Sequence, residues 1–209
     1  MAILLDSAHP EDARAAADLG FVLGATTNPA LLRAASVTPE EAIGALANAG
    51  LAPVFYQLTA ATAEAREAEA RHMLGVQENI IGIKVPCTTE NLALAAHFAD
   101  EGYTIAVTAI FSASQALLAC EAGADFLIPY VNRSTRLLGD GLELVRQLRA
   151  VVDAADTGAE IIAASIKSAD EAVGALLAGA HHLTLPLALI RELGEHELSR
   201  ETIREFGRK

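Results

Sequence analysis

Short apolar runs recur along the chain, and each is followed by a stretch with helical punctuation. The runs are Ile3–Asp6, Phe21–Thr26, Val54–Leu58, Ile80–Val85, Ile105–Ile110, Phe126–Val131, Ile161–Ser165 and His182–Leu187. Most are continuous, with few alternating polar positions, as strands covered on both faces read in a parallel sheet. Between them the pattern predicts helices over Asp12–Leu19, Pro39–Ala49, Glu90–Glu101, Ser112–Ala122, Leu142–Asp156 and Ala169–Ala178. Each closes at or near a glycine: Gly20, Gly50, Gly102, Gly123, Gly158 and Gly179 in turn. Glycine there supplies the left-handed residue beyond a helix C-terminus.

Alternation on this scale leaves an open doubly wound sheet or a closed eight-stranded barrel. The count of eight runs favours the barrel. The first strand-to-helix junction, Asp6-Ser7-Ala8-His9-Pro10, lacks the glycines of a dinucleotide-binding turn. Spread over 209 residues, the repeat is about 26 residues per unit. The expected architecture is α/β: a near-minimal (β/α)8 TIM barrel as a single domain over residues 1–209, with a short helical tail at about 199–209.

Composition narrows the function. The chain has 27 acidic and 15 basic residues, a net charge of −12, and no basic block. A nucleic-acid backbone binder needs a basic face, so nucleic acid is not an expected partner. Two cysteines, Cys87 and Cys120, make no disulfide framework and fit a reducing cytoplasm. His9, His72, His97 and His196 show no zinc spacing, and His181-His182 opens the eighth run, so neither a metal nor a cofactor is expected. The segment Met1–Asp6 meets an acid too soon for a signal-peptide core, and no apolar run approaches a membrane span. A cytoplasmic protein without a membrane partner is expected.

Lysine is scarce: Lys84, Lys167 and the terminal Lys209 are all there is. Lys84 lies inside the apolar run Ile80–Val85, where a lysine needs a reason. Parallel barrels carry their active sites at the C-terminal ends of the strands. The polar residues falling there are Asp6, Thr26-Thr27-Asn28, Gln57 with Thr59, and Lys84 with Thr108 on the next strand. Strand 6 is expected to end in Tyr130, Asn132 and Arg133, strand 7 in Ser165 and Lys167, and strand 8 only to furnish a wall. Period-2 geometry puts Lys84 on a face with Gly82 and Ile80, and Thr108 with Ala106 and Thr104, so small residues leave room in the barrel. Burial there penalises the ammonium and makes Lys84 a candidate Schiff-base nucleophile. Position alone fits equally a structural ion pair with Asp6, expected at a neighbouring strand end. The surrounding hydroxyls, amide and carboxylate are richer than one ion pair requires. Arg133, with Ser165 and Lys167 or Arg136, is a candidate anion site, although an arginine after a strand is often a solvated surface charge. Cys87, just past strand 4, has no paired histidine and is expected to pack.

These strand-end residues resemble the transaldolase/fructose-6-phosphate aldolase family, in particular its short single-domain members. The resemblance runs through Leu5-Asp6-Ser7, Thr26-Thr27-Asn28-Pro29, Ile83-Lys84-Val85-Pro86 and Thr108-Ala109-Ile110-Phe111-Ser112 with Gln115-Ala116. It continues through Gly123-Ala124, Pro129-Tyr130-Val131-Asn132-Arg133, Ala163-Ala164-Ser165-Ile166-Lys167 and Thr184-Leu185-Pro186. Each motif alone is weak; their order and spacing together are specific.

The resemblance implies a class I aldol mechanism. Lys84 would form an iminium with the ketose carbonyl, and Asp6 would assist proton transfer and orient the donor hydroxyls. Gln57, Thr108 and Tyr130 would hold a water, Thr26 and Asn28 would bind the dihydroxyacetone part, and Arg133, Ser165 and Lys167 the phosphate. Gln57, Tyr130 and Lys167 look like the aldolase branch, where transaldolases usually carry Glu, Phe and often Arg. The resemblance thus implies cleavage of a ketose phosphate such as fructose 6-phosphate into dihydroxyacetone and glyceraldehyde 3-phosphate. The close alternative is a transaldolase moving a dihydroxyacetone unit between sugar phosphates such as sedoheptulose 7-phosphate and glyceraldehyde 3-phosphate, in the pentose phosphate pathway. A non-catalytic sugar-phosphate binder is the remote alternative, and the joint presence of Lys84, Asp6, Gln57, Thr108 and Tyr130 argues against it. A homo-oligomer, pentamer or decamer, is implied as well, although Phe206-Gly207-Arg208-Lys209 ends short of the family's longer C-terminal helix. Tyr56 and Cys87 are expected to flank the site and bear on substrate range.

Overall fold

The computed structural model describes residues 1–77 and 79–207. Eight parallel strands close into a barrel in sequence order. They are β1 Ile3–Asp6, β2 Val22–Thr26, β3 Val54–Gln57, β4 Ile81–Pro86, β5 Ile105–Ile110, β6 Phe126–Pro129, β7 Glu160–Ala163 and β8 His182–Leu185. Closure comes from β8 pairing with β1, Leu183 opposite Ile3, which leaves no open edge. The architecture is the expected single-domain (β/α)8 TIM barrel.

Six helices answer the expected ones: α1 Pro10–Ala17, α3 Pro39–Asn48, α5 Thr89–Asp100, α6 Ala113–Glu121, α8 Gly141–Ala155 and α9 Ala169–Leu177. α1 begins two residues ahead of expectation because Pro10 occupies its first turn, where a missing N–H costs nothing. α3 opens with a capping box in which Thr38 and Glu41 satisfy each other's backbone N–H groups. Gly50 and Gly102, just past α3 and α5, adopt φ of 90° and 87° as a helix-ending glycine should.

Four further helices are α2 Pro29–Ala35, α4 Ala63–Leu74, α7 Val131–Leu138 and α10 Leu187–Glu192. α4 buries only Ala70 and Met73, so its apolar pattern is too faint to register. The sixth and eighth runs end earlier than expected because Val131 and Leu187 are the first residues of α7 and α10. Both side chains are buried, and apolarity alone does not separate a strand end from a buried helical turn. α11, Glu197–Phe206, stands where the helical tail was expected; Lys209 lies outside the described residues.

Side-chain alternation divides the barrel into two apolar layers. Leu5, Val54, Ile83, Val107, Leu127 and Leu185 point outward and pack under the helices. Leu4, Phe55, Ala106, Ile128, Ile162 and Ala164 form a separate cluster inside the barrel. Phe55 fills the space beside Gly82, where a β-carbon would stand 2.5 Å from its ring. The room anticipated beneath Lys84 is therefore taken by Phe55, which forms an apolar floor for the residues above it.

Candidate active site

Above that floor the inward columns turn polar. Asp6 on β1 pairs in register with Thr26 on β2, and Gln57 on β3 with Lys84 on β4. Thr108 follows Ala106 on β5, Tyr130 follows β6 in a bridge with Ala164, and Thr184 rises from β8. Asp6, Thr26, Asn28, Gln57, Lys84 and Thr184 line one side of a cavity of about 420 Å³. Tyr130, Arg133, Ala164, Ser165 and Lys167 line the other.

Lys84 is 3% exposed, and its ammonium donates to the Thr27 carbonyl. Burial lowers its pKa to about 8, against the opposing pull of the Asp6 charge. Asp6 moves the other way: burial raises its pKa, while Lys84, the Thr26 hydrogen bond and Lys167 oppose the rise without cancelling it. No ion pair joins Asp6 and Lys84 among the described residues. The expectation of neighbouring strand ends is corrected, since β1 and β4 stand three strands apart around the barrel. Asp6 Oδ1 instead accepts from Thr26 Oγ1 at 3.0 Å, and Thr26 Oγ1 lies 2.6 Å from Thr184 Oγ1.

Thr108 Oγ1 donates to the Tyr130 hydroxyl at 3.1 Å, and Gln57 Oε1 is buried with no partner among the described residues. An unpaired buried acceptor is costly unless something is there to donate to it. Asn28 caps α2: its Oδ1 accepts from the Ala30 and Leu31 N–H groups, which leaves the amide nitrogen to act as a donor.

Arg133 sits in the first turn of α7 rather than on a strand end, with Cζ 5.0 Å from the Tyr130 ring centroid. Ser165 holds a left-handed φ of 59°, a conformation that costs a non-glycine residue about 1–2 kcal/mol. It is pinned because the Val131 and Asn132 N–H groups donate to the Ala164 and Ser165 carbonyls. Asn132 turns its side chain away from the cavity to Glu171. Arg136 is not among the residues lining the cavity.

A scan against family models matches residues 3–208 to the family described as Transaldolase/Fructose-6-phosphate aldolase. The chain belongs to the transaldolase/fructose-6-phosphate aldolase family. A relative from Halalkalibacterium halodurans, named "Probable transaldolase", is 36% identical over 99% of this chain and 97% of its own length. Another of that name, from Lactiplantibacillus plantarum, is 36% identical over 99% of this chain and 95% of its own. Two variants of mandelate oxidase share the fold, with TM-scores of 0.65 at 16% and 15% identity. They align over 89% and 88% of this chain, which spans 65% and 64% of theirs. The protein is an enzyme of the aldolase and transaldolase class.

Three expectations for this family member are corrected. Tyr56 does not flank the site: it points outward, where its hydroxyl donates to Glu69 of α4 at 2.8 Å. Cys87 lies beside Gln115 of α6, outside the cavity, as the packing reading expected. Strand 8 gives more than a wall, because Thr184 joins the Asp6–Thr26 hydrogen-bond group. Arg33, on α2, lines the cavity too, although no strand-end rule pointed to it. A second cavity, of about 480 Å³ near Arg71, Tyr103 and Thr104, lies at the opposite end of the barrel. Its arginine is engaged by Glu67 and Glu101.

Proposed function

We propose that the protein is a class I aldolase that cleaves a ketose phosphate such as fructose 6-phosphate to dihydroxyacetone and glyceraldehyde 3-phosphate. The observation that carries the reading is a lysine with a lowered pKa, buried at the mouth of an apolar barrel and surrounded by proton-transfer groups. At pH 7 about a tenth of such an amine is neutral. Neutral Lys84 attacks the ketose carbonyl, and loss of water leaves an iminium. The hydroxyl proton at C4 passes to a base, the C3–C4 electron pair flows into the iminium, and the aldehyde phosphate departs. Protonation of the resulting enamine at C3 and hydrolysis then release dihydroxyacetone and restore Lys84.

Asp6, its pKa raised by burial, is suited to exchange a proton with the substrate and to orient the donor hydroxyls through Thr26. The unpaired Gln57 oxygen and the Thr108–Tyr130 pair provide three polar atoms suited to hold the water that shuttles protons. Asn28, through its amide nitrogen, and Thr26 bind the dihydroxyacetone part. Arg133, Ser165 and Lys167 bind the phosphate, for which a guanidinium and a nearby ammonium are well matched.

The relatives' name favours a second reading, transfer of the dihydroxyacetone unit to an aldose phosphate. Free dihydroxyacetone measured with fructose 6-phosphate alone supports the lyase. Product that forms only after erythrose 4-phosphate is added supports the transferase.

The chain also acts as a homo-oligomer in this reading. α11 buries none of its own residues and exposes Leu198, Ile203 and Phe206 at 63%, 67% and 72%. A reducing cytoplasm suits Cys87 and Cys120, both free thiols.

A further inference from the structure

The phosphate end of the cavity is shared between two connections. Arg133 comes from the first turn of α7, and Ser165 and Lys167 from the segment between β7 and α9. The backbone joins the two at their base, where the Val131 and Asn132 N–H groups donate to the Ala164 and Ser165 carbonyls at 2.9 and 3.2 Å. Beyond that point a side-chain link takes over. Asn132 Nδ2 donates to Glu171 Oε1 at 2.6 Å, and the Lys167 N–H donates to Glu171 Oε2 at 2.7 Å. Asn132 thus grips the β7–α9 segment on both sides of Lys167, at Ser165 through its backbone and at Glu171 through its side chain.

Helix capping does not account for this arrangement. Ser168 caps α9 by accepting from the Glu171 N–H. In a capping box the glutamate at that position returns to the N–H of the capping residue, as Glu41 does to Thr38 in α3. Glu171 instead reaches one residue further back, to Lys167, and its other oxygen serves a different element, α7. Both oxygens accept from neutral N–H groups, and no ion pair among the described residues joins the carboxylate to Arg133 or to the Lys167 ammonium. The two cations are left for an anionic ligand. Neither Asn132 nor Glu171 is among the residues lining the cavity.

We infer that Glu171 and Asn132 are positioning residues for the phosphate end: their hydrogen bond latches α9 to α7 and holds Arg133, Ser165 and Lys167 in the mutual geometry that selects phosphorylated substrates. The inference rests on the reading that those three residues bind the phosphate. Without the latch the three groups remain but no longer converge, so phosphate affinity falls while chemistry at Lys84, on β4, continues.

The test exchanges the polarity of the two partners. In Glu171→Gln one of the two donors meets an amino group, and in Asn132→Asp two carboxylates face each other. The double variant restores both hydrogen bonds, because the new amide donates to the new carboxylate and accepts from the Lys167 N–H, and it keeps the wild-type net charge. Calorimetric binding of glucitol 6-phosphate, which has no carbonyl, reads the phosphate end. Borohydride trapping of dihydroxyacetone on Lys84, which needs no phosphate, reads the other. Each single variant should weaken glucitol 6-phosphate binding about tenfold. The double variant should return to within about threefold of wild type, with trapping retained throughout. An unchanged affinity in Glu171→Gln overturns the inference, as does a double variant that binds no better than the singles, or a wild-type protein that does not bind glucitol 6-phosphate. If trapping fails in wild type while the affinity pattern holds, the aldolase reading falls and the latch stands. If trapping succeeds and all four proteins bind alike, the latch falls and the aldolase reading stands.

Discussion

Lys84 shows what the site costs the fold. Its folded pKa of about 8 lies below the ordinary 10.5, so the unfolded chain binds more protons between those values. Stability therefore rises with pH across that window, by about 3 kcal/mol if the full shift is realised, and the cost of the buried ammonium is fully present below pH 8. Lys84→Met should accordingly raise the melting temperature at pH 7, and the gain should fade above pH 10.5; a melting temperature that falls at pH 7 would contradict it. The same shift predicts that the rate of adduct formation climbs about tenfold per pH unit below 8 and levels above it. An inflection near 10.5 would mean an unperturbed amine. Beneath it, Gly82→Ala drives a β-carbon into the Phe55 ring and should destabilise by about 1–3 kcal/mol, measurable by urea unfolding. Lys84, Asp6, Gln57, Thr108 and Tyr130 were legible because each falls at a strand end with inward parity. Thr184 and Arg33 were not. The former reads as one more small residue in an apolar strand, and the latter sits a full turn inside a helix whose existence the apolar pattern did not signal.

At the level of elements, the β3–α4 connection is held by one carboxylate. Glu69 accepts from the Tyr56 hydroxyl, the Thr59 hydroxyl, and the Thr59 and Ala60 N–H groups at 2.8–2.9 Å. Burial pushes its pKa up, but the hydrogen bonds from Ala60, Thr59 and Tyr56 outweigh that and hold it below the ordinary 4.5. A depressed carboxylate contributes stability that is present above pH 4.5 and is lost as pH falls through its folded pKa. Glu69→Ala should cost about 1–3 kcal/mol at pH 7 and less at an acid pH below the folded pKa of Glu69, because the native clamp itself weakens once its carboxylate is protonated. An equal loss at both pH values would contradict this. Tyr56 belongs to this clamp rather than to the pocket, a parity that follows from its neighbour Gln57 pointing inward. All eight strands were visible as apolar runs. α4 and α2 escaped because they contribute few buried side chains of their own, and helices of that kind take their place from the connections around them.

For the molecule as a whole, a chain of net charge −12 carries Arg33, Arg133 and Lys167 among the residues lining its cavity, a contrast suited to draw an anionic ligand inward. The exposed apolar face of α11 predicts a sedimentation mass above the 21.8 kDa of one chain. Ile203→Glu with Phe206→Glu should shift that mass toward the monomer, and a wild-type monomer would contradict the assembly. The chemistry at the centre is tested most directly by borohydride reduction in the presence of dihydroxyacetone, followed by peptide mass mapping. One reduced three-carbon unit on Lys84, absent from Lys84→Met, is the predicted result. No adduct, or an adduct on Lys167 instead, would contradict it.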